Sequence, residues 1–193
     1  MIDEARRRRL LDMAARDLAL RERLAADGSL FDGYNPDMQT VHEENAAALQ
    51  EIVAESGWPT AATVGTDGAE AAWLIAQHAI GLPDFQRACL AALKAAGAPT
   101  WQSAYLEDRI RTLEGRPQLY GTQFDWNEEG EVRPMPIEDP EEVDARRAAV
   151  GLPPLSEAAA RMRAESAAEP KPRDLTARRA RMDAWARSVG WRD

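Results

Sequence analysis

The sequence has one cysteine and two histidines among 193 residues, so side chains that bind metals or form disulfides are scarce. A single thiol, Cys89, excludes an internal disulfide and a zinc site built from several cysteines. Its helical spacing from Phe85 and Leu93 predicts a buried, unreactive side chain rather than a nucleophile. The sequence shows no phosphate-binding loop, dinucleotide fingerprint or nucleophile elbow, and we predict no cofactor.

Long apolar runs and an excess of positive charge are also missing. No stretch reaches the roughly 18 apolar residues that a membrane-spanning helix needs, and the first residues lack the uninterrupted apolar run of a signal peptide. The formal net charge is -9, from 24 basic and 33 acidic residues, whereas a nucleic-acid surface needs clustered lysine and arginine. We therefore expect a soluble, cytoplasmic protein that binds neither membrane nor nucleic acid.

What the sequence does contain is a series of amphipathic helices, indicated by apolar residues at intervals of three and four and by proline at several helix starts. Leu10, Leu11, Ala14, Leu18 and Leu24 form the apolar stripe of the first helix. The predicted helices span residues 3–27, 36–56, 69–80, 83–97 and 99–114. The three glycines and the proline of residues 57–68 predict a turn-rich connection before the third helix.

The pattern changes between residues 117 and 137, where two β-prone runs flank a turn at Asn127–Gly130. This arrangement predicts a small antiparallel hairpin, with Pro134 and Pro136 marking one arm as an edge. The next helix begins at Asp139, with Glu142 placed for a capping box.

That helix is predicted to end at Gly151, and a further helix follows over residues 156–168. The linker Glu169-Pro170-Lys171-Pro172 precedes a last amphipathic helix. The fold class is therefore mainly α, with a single helical core domain that includes the hairpin, at residues 1–155. A loosely docked, helical C-terminal extension covers residues 156–193.

Both histidines fall on helix faces that are expected to point inward. His42 and Asn45 interrupt the apolar face of the second helix, and Gln77 and His78 lie on the third. Burying such a group without a partner costs about 1–3 kcal/mol, so each needs a partner or a ligand. A structural histidine with satisfied hydrogen bonds is the more common alternative for either ring.

The fifth helix offers partners for these rings. Asp108 can orient a histidine and make it a better base, which makes His78 or His42 a candidate general base. Arg109 can hold an anionic group through its planar guanidinium, although an Asp108–Arg109 ion pair is more common. His42, His78 and Asp108 would form a two-histidine, one-carboxylate metal set, but no local ligand spacing supports it and we predict no metal.

Gly121 stands in a β-prone run beside side chains that form hydrogen bonds, namely Tyr120, Thr122 and Gln123. A glycine there permits a bulge or a close approach of the backbone to another group. Two interpretations fit equally well: a strand that faces a ligand, and a strand whose polar side chains bind the helix backbones beneath it.

Four blocks of the sequence are informative in their order. They are GYNPDMQTVHEENAAALQEIVAESGWP, GAEAAWLIAQHA, AYLEDRI with GRPQLYGTQFDW, and EDPEEVDARRAAVGLPPL. Together they resemble, over about residues 30–155, a bacterial family known only as a domain of unknown function. The segment between Cys89 and Tyr105 is shorter than the usual pattern of that family.

The resemblance implies a set of family motif positions, and their mainly polar character favours a site over simple packing. These positions are His42, Asn45, Trp58, Gln77, His78, Asp108, Arg109, Gln118, Tyr120, Gly121, Thr122, Gln123 and Arg146. No activity comes with the resemblance.

Two functions of different classes follow from the sequence. The first is an enzyme or ligand-binding protein with a polar pocket for a small polar or anionic metabolite, with hydrolysis or group transfer as its expected reaction. The predicted catalytic residues are His78, His42 and Asp108, and the predicted ligand-binding residues are Asn45, Gln77, Arg109, Tyr120, Thr122, Gln123 and Arg146. The second is a protein-interaction module, an adaptor or an antitoxin-like partner, whose terminal helices bind another protein while the polar residues form a structural network.

Overall fold

A computed structural model describes residues 1–31, 33–168 and 174–193 of the chain. The chain divides into two compact units, residues 1–98 and 99–193. The described residues form eight α-helices and one two-stranded antiparallel sheet, which confirms the predicted mainly α fold with a hairpin. The predicted boundary after residue 155 falls inside the second unit, and the division into core and extension stays a prediction.

The first two helices have the boundaries that their capping residues dictate. Helix α1 spans Glu4–Ala26, and the side chain of Asp3 accepts a hydrogen bond from a backbone N–H in its first turn. Helix α2 spans Pro36–Ser56, with the Asn35 side chain accepting from two backbone N–H groups of the first turn. Gly57, at φ 78°, ends α2 as predicted, because glycine adopts this left-handed backbone without steric cost.

Helix α3 spans Ala61–His78, so the predicted turn-rich connection over residues 57–68 is wrong for its second half. The helix begins after Thr60, whose N–H donates to Thr63 Oγ1 at 2.9 Å. Gly65 has a non-helical backbone (φ 76°, ψ 163°), so a kink separates the first turn of α3 from the rest of the helix. Threonine and glycine have weak helix propensity, which made the segment resemble a loop, and packing against α1 overrides that propensity.

Within the first unit, α1, α2 and α3 pack against one another, and α4 (Pro83–Ala95) packs against α3. The largest fully buried apolar side chains of this unit are Leu10, Met38, Leu49, Ile52, Val64, Ile75 and Leu93. An ion pair between Arg7 and Asp67 joins α1 to α3 at the surface, with Arg7 Nε donating to Asp67 Oδ1 at 2.8 Å.

The inward face of α1 differs from the predicted stripe. Leu10, Ala14 and Leu24 are buried and Leu11 is partly exposed, but Leu18 is 49% exposed. Asp17 takes the inward position instead and is 1% exposed. At about 100° per residue, Asp17 lies about 20° from the directions of Leu10 and Leu24, whereas Leu18 lies about 80° from the direction of Leu10.

The second unit begins with α5 (Thr100–Leu113), followed by an extended loop that leads into the hairpin. Strand β1 (Phe124–Trp126) pairs with β2 (Val132–Pro134), so that Phe124 faces Pro134. The predicted hairpin is therefore confirmed, with a proline ending its second strand.

A 3₁₀ turn at Pro140–Glu142 precedes α6 (Val143–Ala149). The predicted capping box is wrong, because Asp139 has a left-handed backbone (φ 43°) and its side chain makes no capping hydrogen bond. A helix N-cap normally needs an extended backbone to aim its side chain at the first turn. Gly151, at φ 74°, follows the end of α6 as predicted.

The last two helices are α7 (Leu155–Glu165) and α8 (Leu175–Ser188). The predicted linker at residues 169–172 lies outside the described residues. Near the C-terminus, Trp191 is 3% exposed, and Arg192 Nε donates to the carbonyl of Leu113 at 2.7 Å. None of the described helices combines the length and the apolar character needed to cross a membrane.

Candidate active site

Two histidines from different helices meet at one buried carboxylate in the first unit. His78 Nδ1 lies 2.8 Å from Asp17 Oδ1, and His42 Nε2 lies 3.3 Å from Asp17 Oδ2. The two imidazole rings are 5.6 Å apart between centroids. An ionised carboxylate only accepts hydrogen bonds, so Nδ1 of His78 is the donor in the first contact. We refer to Asp17, His42 and His78 as the Asp17 cluster.

Tyr34 extends the cluster on the far side of His42. Its hydroxyl oxygen and His42 Nδ1 share a hydrogen bond of 2.8 Å, and the two rings are stacked at 5.7 Å. A neutral His42 ring that presents Nε2–H toward Asp17 accepts this bond at Nδ1, and the other tautomer donates it. The tyrosine therefore fixes the plane of the ring in either state.

Three helices position the cluster. Asp17 lies on the inward face of α1, His42 in the second turn of α2, and His78 at the last residue of α3. The end of α3 is held by Gln86, whose Nε2 donates to the carbonyls of Ala76 and Gln77 at 2.7 and 3.1 Å. Such bonds satisfy carbonyl groups that a helix end leaves without partners, so His78 stands on a well-ordered terminus.

The electrostatics of the cluster keep Asp17 ionised. Burial raises the pKa of the Asp17 carboxyl, but its close contacts and charge interactions with His42 and His78 outweigh this effect and hold the pKa well below its usual range. Burial, with the charges of Glu43 and Asp17, raises the pKa of the Tyr34 hydroxyl, which therefore stays protonated. The site thus contains one buried negative charge and two imidazoles.

Access to the cluster is uneven. The Asp17 side chain is 1% exposed and the His42 side chain 8%, whereas the His78 side chain is 18% exposed. The most accessible member of the cluster is therefore His78.

The same three residues include the atoms that metal ions prefer among nitrogen and oxygen ligands. Asp17, His42 and His78 offer one ligand atom each, and these atoms lie within 4.8 Å of one another. The sequence analysis considered a metal set of His42, His78 and Asp108. Its two histidines lie together in the structure, and the carboxylate beside them is that of Asp17.

Two predicted ligand-binding residues flank the cluster along the chain. Asn45 is 2% exposed, and its Nδ2 donates to the carbonyl of Met13 on α1 at 3.2 Å. Gln77 is 3% exposed and immediately precedes His78. The contact of Asn45 fastens α2 to α1, which supports the histidine one turn away.

Asp108 lies on α5, and the hydrogen bonds described for it come from the loop after this helix, while its predicted role beside a histidine stays a prediction. It is fully buried on α5, and its carboxylate accepts hydrogen bonds from the N–H groups of Leu119, Tyr120 and Thr122 and from the Thr122 hydroxyl, at 2.7–3.1 Å. Burial raises the pKa of Asp108, and these hydrogen bonds act in the opposite direction. The described hydrogen bonds of Asp108 thus fold the loop that follows α5.

Gln123 also takes part in this loop. Its N–H donates to Gln118 Oε1 at 2.8 Å, and its side-chain amide donates to the Thr122 hydroxyl at 3.0 Å. Among the predicted residues of this unit, Asp108 and Thr122 are buried, whereas the remaining ones are partly exposed, namely Arg109, Tyr120, Gln123 and Arg146. Their predicted contacts with a ligand stay predictions.

Two neighbouring arginines of α6 also bind this loop, through its backbone carbonyl groups. Arg146 Nε donates to the carbonyl of Leu119 at 2.7 Å, and its Nη2 donates to the carbonyl of Asp139 at 3.0 Å. Arg147, which sequence reasoning did not single out, is 1% exposed and donates through Nη1 to the carbonyl of Tyr120 at 2.6 Å. Burial lowers the pKa of Arg147. These bonds occupy both guanidiniums with backbone carbonyls.

An open groove of about 560 Å³ runs along α1 and α2, and none of its lining residues belongs to the Asp17 cluster. Its lining includes Arg16 and Arg23, which pair with Glu44 and Asp37 respectively. The groove therefore offers little unpaired positive charge to an anionic ligand.

Sequence reasoning missed Asp17, the residue that joins the two histidines. The available signal was its interval of seven residues from Leu10 and of three from Ala14, which places a carboxylate on an apolar helix face. A buried carboxylate is costly and needs a partner, just as the two histidines do. Pairing the inward polar residues of α1, α2 and α3 would have found the cluster.

The fold and the Asp17 cluster define a mainly α protein with a buried carboxylate–histidine centre. The chain belongs to a family of unknown function (DUF6624), whose model matches residues 5–168. That range includes all three residues of the Asp17 cluster and ends before α8. No curated protein and no solved structure was found to match the chain.

Proposed function

We propose that this protein is an enzyme or a ligand-binding protein whose centre is the Asp17 cluster, and that it acts on a small polar or anionic metabolite by hydrolysis or group transfer. We also propose that the protein acts in the bacterial cytoplasm, because its sequence blocks resemble a bacterial family and its composition is acidic, without long apolar runs.

One observation carries the proposal: a carboxylate that is 1% exposed faces two histidines from two other helices. Removing a charge from water costs several kcal/mol, and pairing in the interior returns this cost only with very good geometry. A core of apolar residues would be the simpler way to join three helices. Perturbed, buried titratable groups with one accessible member are typical of functional sites.

The cluster can generate a nucleophile in either of two ways. In the first, the His78 ring accepts a proton from water or from a hydroxyl group of the ligand, while Asp17 orients the ring and stabilises its positive charge. In the second, a bound cation acidifies a water molecule. Both ways need Asp17 ionised, as its lowered pKa provides.

The ligand is expected to be small, because only the His78 side of the cluster contacts solvent appreciably. A polar ligand can form hydrogen bonds with the imidazole. An anionic ligand meets the negative charge of Asp17 unless a cation lies between them.

The test is a thermal-shift screen of the full-length chain against a library of small polar and anionic metabolites, followed by hydrolysis assays on the metabolites that stabilise it. We expect at least one compound to raise the melting temperature of the wild type, and His78→Gln to abolish this rise while it keeps the helical circular-dichroism spectrum. Asp67→Asn is the matched control, because it breaks another contact between α1 and α3 at the surface.

The opposite result supports the protein-interaction module instead. If no compound stabilises the wild type and His78→Gln loses its folded structure, the Asp17 cluster is a structural network, and a protein partner becomes the better explanation of the chain.

A further inference from the structure

We propose that the Asp17 cluster binds a divalent transition-metal cation through one carboxylate oxygen of Asp17, Nε2 of His42 and Nδ1 of His78. This inference deepens the proposed function, because it concerns the same cluster and names its cofactor class. Metal binding can nevertheless be measured without any substrate.

The geometry of the three ligand atoms fits a small cation. Metal–nitrogen and metal–oxygen bonds of about 2.0–2.1 Å in a tetrahedral site place two ligand atoms roughly 3.3 Å apart. His42 Nε2 and Asp17 Oδ2 lie 3.3 Å apart, and all three ligand atoms lie within 4.8 Å of one another. The widest pair therefore has to close by no more than about 1.5 Å.

Two buried atoms of the cluster point to an ion independently of this spacing. Asp17 Oδ2 and His42 Nε2 are buried and have no hydrogen-bond partner among the residues that the structure describes. They face each other at 3.3 Å without the alignment of a hydrogen bond. Unpaired buried polar atoms are costly, and a cation bound to both removes that cost.

Tyr34 supplies the support that a ligating histidine usually has. When Nε2 of a histidine binds a metal, its Nδ1–H normally donates to a nearby acceptor, which fixes the orientation of the ring. The Tyr34 hydroxyl oxygen lies 2.8 Å from His42 Nδ1 and can accept this bond. The tautomer of His42 that binds a metal is thus the one that Tyr34 can stabilise.

The ligand set selects the class of ion. Two imidazoles and one carboxylate suit Zn²⁺ and the neighbouring divalent transition metals, whereas Mg²⁺ and Ca²⁺ prefer sites made of oxygen ligands. Three protein ligands leave at least one coordination position open, as in catalytic zinc sites. The partly exposed side of the cluster at His78 is where that position meets water or a ligand.

The charge balance favours the same class. A single buried carboxylate leaves the cluster with net negative charge when both rings are neutral, and Glu43 adds negative charge near Tyr34. A divalent cation reverses this sign and allows an anionic ligand to approach.

The experiment is a calorimetric titration of the untagged, chelator-treated full-length chain with ZnCl₂, repeated with CoCl₂ while the visible spectrum of the bound ion is recorded. The background is low, because the only two histidines of the chain are in the cluster and its only cysteine, Cys89, is buried. We expect one ion per chain, a cobalt spectrum of low coordination number and a higher melting temperature with zinc.

Three variants and one control make the result specific. Asp17→Asn and His78→Gln should lower the zinc affinity at least 100-fold, and Tyr34→Phe should lower it by about 10-fold through the lost support of His42. Asp67→Asn should bind zinc as the wild type does, since Asp67 pairs with Arg7 outside the cluster. If Asp17→Asn or His78→Gln fails to fold, the test of the metal site rests on two measurements. These are the number of zinc ions bound by the wild type and the zinc affinity of Tyr34→Phe.

Absence of saturable binding at one ion per chain, or equal affinity in Tyr34→Phe and the wild type, would overturn the metal site. The two proposals fail in different ways. If zinc does not bind at one ion per chain but a metabolite stabilises the chain in excess chelator, the metal inference is wrong and the proposed function stands. If zinc binds as expected but no metabolite does, the metal inference stands and the proposed function is wrong.

Discussion

Asp17 is almost without solvent contact, and each of its carboxylate oxygens faces one histidine. Its stability contribution depends on pH because the pKa of this carboxyl is lowered in the folded chain from an ordinary value of 3.8. A carboxyl with a lowered folded pKa stabilises the fold above its unfolded pKa, and this contribution declines as the pH falls below that value. The histidine contacts of Asp17 therefore contribute fully above about pH 4 and less below it.

Asp17→Asn tests the charge state of this carboxyl. At pH 7 the substitution should lower the free energy of unfolding by about 3 kcal/mol, because it removes one charge of a buried, paired set. The difference between variant and wild type should shrink as the pH is lowered below about 4. Urea denaturation at a series of pH values from 7 to 3 measures both quantities. A difference that is the same at every pH contradicts the assigned state of Asp17.

At the scale of elements, charged side chains of α5 and α6 hold the loop after α5 through hydrogen bonds to its backbone. The carboxylate of Asp108 and the guanidiniums of Arg146 and Arg147 bind its backbone from opposite sides. Gly121, in the middle of this loop, has φ 66° and stands against Leu155. The loop therefore depends on a residue with no side chain as well as on its charged anchors.

A pair of glycine variants separates these causes. A Cβ at Gly121 would lie 2.7 Å from Leu155 Cδ1, whereas a Cβ at Gly151, also at positive φ, would meet nothing within 4 Å. Gly151→Ala should cost about 1 kcal/mol for its backbone alone, and Gly121→Ala about 1–2 kcal/mol more for the clash. Equal losses in urea denaturation of the two variants would show that the close approach at Gly121 does not matter.

The elements differ in how well the sequence predicted them. Asn35-Pro36 and Gly57 mark both ends of α2, and the structure has the helix between them. The start of α3 was missed because Gly65 is typical of a turn, and only contact with α1 makes its surroundings helical. Local signals were sufficient where a cap lies in the sequence itself and insufficient where a neighbouring helix decides.

At the scale of the whole molecule, the same limit applies to the candidate site. The inward direction of His42 and the alignment of His78 could be read from helical periodicity, because each depends on its own helix alone. The partner of the two rings could not, because Asp17 comes from α1, where charged residues dominate and the stripe was assigned to Leu18 instead. Helical periodicity shows which way a side chain points on its own helix, but it does not show which helices pack together.

We propose that the Asp17 cluster is present for function and not for folding. Replacing all three members with apolar residues of similar size, as Asp17→Leu, His42→Phe and His78→Leu together, removes the buried carboxylate together with both imidazoles that face it. Exchanging a buried ionic network for apolar packing is often neutral or stabilising, by about 1–4 kcal/mol.

The decisive measurement is the free energy of unfolding of this triple variant, determined by urea denaturation beside the wild type at pH 7. We predict a value within about 1 kcal/mol of the wild type or above it, in contrast to the loss expected for Asp17→Asn alone. A triple variant that is less stable by roughly 3 kcal/mol or more, or that does not fold, would show that the cluster holds the three helices together and would contradict the claim.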